Sequence, residues 1–142
     1  MFGFVRRAKE NWESKVNNMR APVVDDLNNL LVHVASELTV AHGFAEGDEN
    51  HKMLLEKHRK IVFGFLAFRD GGDPRKISDA YPLMKCAAAL AQVACDRAIL
   101  DGKLDMEKMA GELRYILGFS RDGSEIDALT PPSANKSRPT IR

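Results

Sequence analysis

The sequence predicts an all-α fold, a single compact helical domain of about six helices. Three observations carry that prediction. Apolar residues recur at spacings of three and four through most of the first 120 positions. Apolar and polar residues nowhere alternate strictly beside turn chemistry, as a half-buried strand would require. Gly, Pro and Asp stand where the helical runs stop and start. The chain has 142 residues, 44% of them apolar. That suffices for one core and excludes a disordered chain. With 21 basic and 20 acidic residues, the charge gives no general attraction to nucleic acid.

Residues 2–20 read as an amphipathic helix, with Val5, Ala8, Trp12, Val16 and Met19 on one face. Phe2 and Phe4 extend its apolar end. It can pack on its own domain, or its Phe, Trp and flanking Arg can rest on a membrane surface through residues 2–19. Arg20-Ala21-Pro22 reads as a break, because Pro favours the first turn of a new helix. Val24, Leu27, Leu31, Val34 and Leu38 then form a second stripe, which Gly43 ends.

A helix over about 48–69 should bury Leu54, Leu55, His58, Ile61, Val62, Phe65 and Leu66. Its charged side, with Lys52, Glu56, Lys57, Arg59 and Lys60, reads as a solvated face. Phe63, Phe65 and Phe68 read as core rather than a stacking platform for bases. Residues 69–74 carry every turn signal, and a short helical piece fits 75–81. Pro82 opens a helix over 82–100 that is apolar nearly all round, which places it at the centre. Cys86 and Cys95 lie nine residues apart on that helix, about 13 Å apart and on opposite faces. They cannot bridge each other and read as buried, reduced thiols.

Asp101-Gly102 ends that helix, and Asp105 can cap the next, which should bury Met106, Met109, Leu113 and Ile116 before Gly118 stops it. After Phe119 the composition shifts. Residues 121–142 form a Pro- and Ser-rich tail, with one short turn around Ile126 and Leu129.

A helix, a Gly stop, an acidic loop and an amphipathic helix occur twice. A shift of fifty-nine residues lays Val34-Ala35 on Val93-Ala94, Gly43 on Gly102 and Leu54 on Leu113. The pattern reads as an internal pseudo-duplication of a helix–acidic loop–helix unit. If the halves pack by pseudo-symmetry, the two acidic corners could meet. His42, Glu46 and Asp48 would come from one, and Asp101, Asp105 and Glu107 from the other. Oxygen ligands suit Ca²⁺, Mg²⁺ or Mn²⁺, and His42 would shift the preference toward Zn²⁺. The competing reading is plain capping of helix starts, with His42 as a cation at a helix end.

The segment ACDRAILDGKLDMEKMAGELRYILGF resembles the second conserved motif of the TerB-like tellurite-resistance family. It has the small-residue helix, the Asp-Gly, the acidic helix start and the closing Leu-Gly-Phe. VASELTVAHGFAEGDENHKMLL resembles the first motif, with His42 where that family usually has Asp. MFGFVRRAKENW resembles the Phe-bearing start of such proteins. The resemblance covers roughly residues 1–120. It implies a helical domain with metal-binding acidic corners, in tellurite resistance or a related stress or phage-defence response, near membrane-associated partners.

Enzyme signatures are missing. The sequence holds no calcium loop, HExxH pair, Cys-x-x-Cys, Walker loop or nucleophile elbow. The expectation is a non-enzymatic protein that works with a protein partner and without nucleic acid. Arg6, Arg7 and Lys9 follow the first apolar residues at once, which does not read as a secretory leader. No apolar run is long enough to span a bilayer. The expected address is the cytoplasm, with peripheral membrane contact through the first helix. The alternative is a structural or adaptor protein of a larger assembly, bacteriophage assemblies included, docking by the N-terminal helix or the C-terminal tail.

Overall fold

In the computed structural model the chain forms α1 (Phe2–His42), α2 (Glu49–Arg69), a 3-10 turn (Pro74–Lys76), α3 (Pro82–Asp101) and α4 (Met106–Ile116). The structure describes residues 2–43 and 47–124, and for residues 2–8 and His42 it describes the backbone alone. The fold is all-α, with no strand among the described residues.

The expected break at Arg20-Ala21-Pro22 does not occur. α1 is one helix of 41 residues with Pro22 inside it. Proline lacks the N–H that would bond the carbonyl four residues back, at Asn18, and its ring crowds that carbonyl, at about 3 kcal/mol. Asn18 and Pro22 both face solvent, where water can take the freed carbonyl. The apolar stripe meanwhile crosses the proline in phase. Val16, Val23, Leu27 and Leu30 are buried, and Met19 packs partly against the core. Each buried Val or Leu contributes about 1.5–3 kcal/mol, so burial outweighs the proline. The helical piece expected over 75–81 is only the 3-10 turn, which Asp73 caps by accepting from the Arg75 N–H at 2.9 Å. The turn expected around Ile126 and Leu129, and the tail beyond Ser124, lie outside the described residues. Among the described residues, four helices and a turn thus stand where about six helices were expected of the chain.

The second half of α1 is the spine, with Leu27, Leu31, Val34 and Leu38 fully buried. α2 meets α3 closely because the facing residues are small. α3 turns Ala87, Ala88, Ala91, Ala94 and Ala98 inward. A Cβ built on Gly64 would collide with the Met84 carbonyl oxygen and come within 2.7 Å of the Ala87 Cβ. α4 closes the core with Met109, Ala110, Leu113 and the adjoining Leu117.

Several burial expectations fail. Leu55 and Met106 are exposed, and Phe63 is exposed while Phe65 and Phe68 are in the core. α3 is not covered on all sides, because Cys86, Ala89, Val93 and Leu100 on its outer face are open. Cys86 is therefore not the buried thiol expected, and only Cys95 is.

Candidate functional site

Both acidic corners form as helix junctions. In the first, α1 ends at His42 and Gly43 takes a left-handed φ of 61°. Asp48 is extended, and its Oδ1 accepts from the Asn50 N–H at 2.8 Å. In the second, Gly102 takes a φ of 77° and its N–H donates to the Ala98 carbonyl at 2.9 Å. Asp105 caps α4, its Oδ1 accepting from the Lys108 N–H at 3.1 Å. Left-handed backbone at these two sites is what makes glycine the suited residue.

Asp48, Asp101, Asp105 and Glu107 are all exposed. Asp48 and Asp105 each commit one carboxylate oxygen to a helix start. Asp101 is the last residue of α3, and Glu107 sits in the first turn of α4. The His42 side chain and Glu46 lie outside the described residues. Among the described residues, no three His, Cys, Asp or Glu side chains gather closely enough to hold a metal ion. Capping accounts for one oxygen each of Asp48 and Asp105.

The structure brings together charged groups that the sequence reading passed over. Glu37 is buried on α1 and faces Arg114 of α4, with Nη2 to Oε2 at 3.5 Å. Arg114 also donates through Nη1 to the Arg121 carbonyl at 3.1 Å, holding the turn after α4. Arg20 donates to the Phe68 carbonyl at 3.0 Å and lies over the Phe68 ring at 4.5 Å. Lys57 donates to the Leu117 carbonyl at 3.1 Å. Arg20 and Lys57 thus place cations at the carbonyl ends of α2 and α4, where the helix dipole is negative. Lys57 is therefore not part of a purely solvated face. The signal for Glu37 was present: an acid at 37 between the apolar positions 34, 38 and 41 sits on the inward stripe.

Several open grooves line the described surface, the most voluminous, of about 850 Å³, lying along Leu83, Cys86, Tyr115, Phe119 and Arg121. Another, of about 430 Å³, lies between α1 and α2 and is lined by Val32, Thr39, Leu54, Leu55 and His58. Partial burial there pushes the His58 imidazole below its ordinary value of 6.5. A third, of about 410 Å³, lies between α3 and α4, along Cys86, Ala89, Val93, Met109 and Tyr115. Inside the core, burial pushes the Cys95 thiol up to about 11, with Asp96 adding to it and Arg20 opposing it.

No helix among the described residues is long and apolar enough to cross a membrane. Comparison of the chain with protein-family models, curated proteins and solved structures finds no match.

Proposed function

We propose that the chain is a non-enzymatic docking domain of TerB-like kind. It serves tellurite resistance or a related stress or phage-defence response, and engages a membrane surface or a membrane-associated protein through the first turns of α1. One observation carries this reading. Residues 9–15 of α1 are exposed, and Val16 is the first buried residue among those whose side chains are described. The helix therefore opens with a stretch that the core covers only in part, with Trp12, 39% exposed, at the lip of a small groove beside Gln92 and Asp96 of α3. A helix of that kind needs a surface to cover it.

Both junctions share the left-handed Gly and the Asp cap, which supports a duplicated helix–loop–helix unit. Asp48 and Asp105 play the same part, although they are 57 positions apart where the glycines are 59 apart. The first loop is two residues longer, so a single shift cannot align cap with cap.

Trp12 is the only tryptophan and reports on that stretch directly. Titration with phosphatidylcholine–phosphatidylglycerol vesicles should shift its emission to the blue and carry the protein into the vesicle pellet. A partner protein, if that is what the stretch meets, should be retained by the full chain and lost by Trp12→Asp. A stretch that binds no vesicle, and no partner that Trp12→Asp releases, overturns the reading. A second reading, an adaptor in a larger bacteriophage-type assembly, draws support from the open face of α3. It expects the chain to co-sediment with large particles whether or not Trp12 is intact.

A further inference from the structure

A cavity of about 180 Å³ opens between α1 and α3, and most of the side chains that line it are polar. Trp12, Glu13, Asn17 and Arg20 reach it from α1, and Gln92 and Asp96 from α3. The spacing explains the grouping. Glu13, Asn17 and Arg20 stand four and then three positions apart, and Gln92 and Asp96 stand four apart, so each set shares one face of its helix. Glu13, Asp96, Asn17 and Gln92 bring two carboxylates and two amide oxygens. None of these four side chains has a hydrogen bond or an ion pair among the described residues. Asp96 is partly buried, and that burial pushes its carboxyl above the ordinary value. A cation beside it would offset the cost.

The one base is already engaged. Arg20 donates through Nη1 to the Phe68 carbonyl and lies over the Phe68 ring, so its charge is turned toward the negative end of α2. Two acids therefore face the cavity against one occupied base, and the balance attracts a cation. Trp12 adds an indole face, the best aromatic platform for one. Arg20 Nε is buried and unpartnered, which makes an anion the rival occupant.

We propose that this cavity binds a guanidinium group, stacked on Trp12, with its N–H groups donated to Asp96 and Glu13 and to the amide oxygens of Asn17 and Gln92. The acceptors select among cations. A quaternary ammonium has no N–H and would leave all of them unmet, whereas a guanidinium carries its donors in one plane, pairs with carboxylates and stacks on aromatic rings. Size agrees. At about 30 Å³ per water the cavity holds about six waters, which is room for one arginine side chain and too little for a drug-sized ligand. The group can belong to a free guanidine or to an arginine of a partner protein. Because the two acids stand on different helices, the bound cation ties the start of α1 to α3. This binding needs no membrane and does not rest on the docking reading.

Isothermal titration of the full chain with propylguanidinium chloride, without vesicles and at constant ionic strength, tests this. Binding should saturate with a dissociation constant of about 1 mM or tighter and should change the emission of Trp12. Asp96→Asn should weaken it at least about 10-fold and Glu13→Gln about 3-fold or more. Glu13 is exposed, so that variant keeps the fold even if Asp96→Asn does not. Tetramethylammonium should bind at least about 10-fold more weakly than propylguanidinium. An acetyl-Gly-Arg-Gly-amide peptide titrated in parallel separates the two sources. Binding of either guanidinium supports the proposal, and the tighter one names the source. The proposal is overturned if neither saturates by about 20 mM, if both carboxylate variants bind as well as wild type, or if tetramethylammonium or acetate binds as tightly as propylguanidinium. A chain that binds propylguanidinium and ignores vesicles fails the docking reading alone, and the converse fails this one alone.

Discussion

Replacing Glu37 by Leu, or Arg114 by Met, should be the most damaging polar change available to this domain. The Glu37 and Arg114 side chains are only 8% and 14% exposed, with 3.5 Å between charged atoms. At an effective dielectric near 20, that separation is worth about 5 kcal/mol of attraction, before the cost of taking both ions out of water. Removing one partner leaves the other charge buried, which costs about 3–5 kcal/mol. A domain of this size is stable by about 5–15 kcal/mol in total, so either single variant should lose a large share. Arg114→Met also removes the bond to the Arg121 carbonyl and should be the worse of the two. The double variant Glu37→Leu/Arg114→Met leaves no buried charge and should return to within about 1 kcal/mol of wild type. Urea unfolding followed by circular dichroism at pH 7 gives all four numbers and their coupling. If each single change costs under about 1 kcal/mol, water reaches the pair and the burial argument fails. A double variant no better than the worse single one would show that the packing, rather than the charge, was lost.

Gly64→Ala gains about 0.5–1 kcal/mol in helix propensity but drives a methyl into the Met84 carbonyl. Overpacking of that kind costs about 1–3 kcal/mol, so the variant should melt lower; a higher melting point would mean α2 and α3 can separate freely. Asp105→Ala should cost about 1 kcal/mol and Asp105→Asn almost nothing, since Asn caps as well as Asp. A melting point that Ca²⁺, Mg²⁺, Mn²⁺ or Zn²⁺ raises in wild type, but not in Asp105→Asn, would give Asp105 a ligand role beside its cap. His58 has its pKa held below 6.5 by burial. The unfolded chain then takes up the proton first, so stability is whole above that pH and declines as the pH falls through the folded-state value. His58→Gln should shrink the difference in urea midpoint between pH 7.5 and 5.5, and an unchanged difference would exclude His58 as its source. In dilute protein, Ellman's reagent should label Cys86 at once and Cys95 only on unfolding, given exposure of the one and burial of the other.

Much of the fold was legible because punctuation and periodicity agreed. Pro82 at the first position of α3, Gly102 in left-handed backbone, Asp48 and Asp105 as caps, and Gly118 after α4 all stand where their local chemistry puts them. Pro22 misled because its local preference opposed a stripe that runs unbroken from Val16 to Leu30. Proline is a rule about one hydrogen bond, and the stripe is a rule about many side chains. When the proline faces water, the second outweighs the first. Had the phase of the stripe across 19 and 23 been weighed, one long helix would have been the better prediction.

The candidate site was harder to read for a different reason. An aspartate that caps a helix and one that helps hold an ion look the same in a sequence, because both need a short acid beside a free N–H or a turn. Only the neighbours distinguish them, and neighbours come from packing. The same limit explains Arg20 and Lys57, whose partners are the carbonyl ends of other helices, 48 and 60 residues away. Glu37 is the contrary case, since a charge on an inward stripe demands a partner and could have been flagged unaided. For α3 the stripe was visible, but periodicity says which residues share a face and not how many neighbours the helix has. A surplus of apolar surface over what one domain can cover is therefore where sequence reasoning should stop placing a helix at the centre and ask instead what lies on its other side.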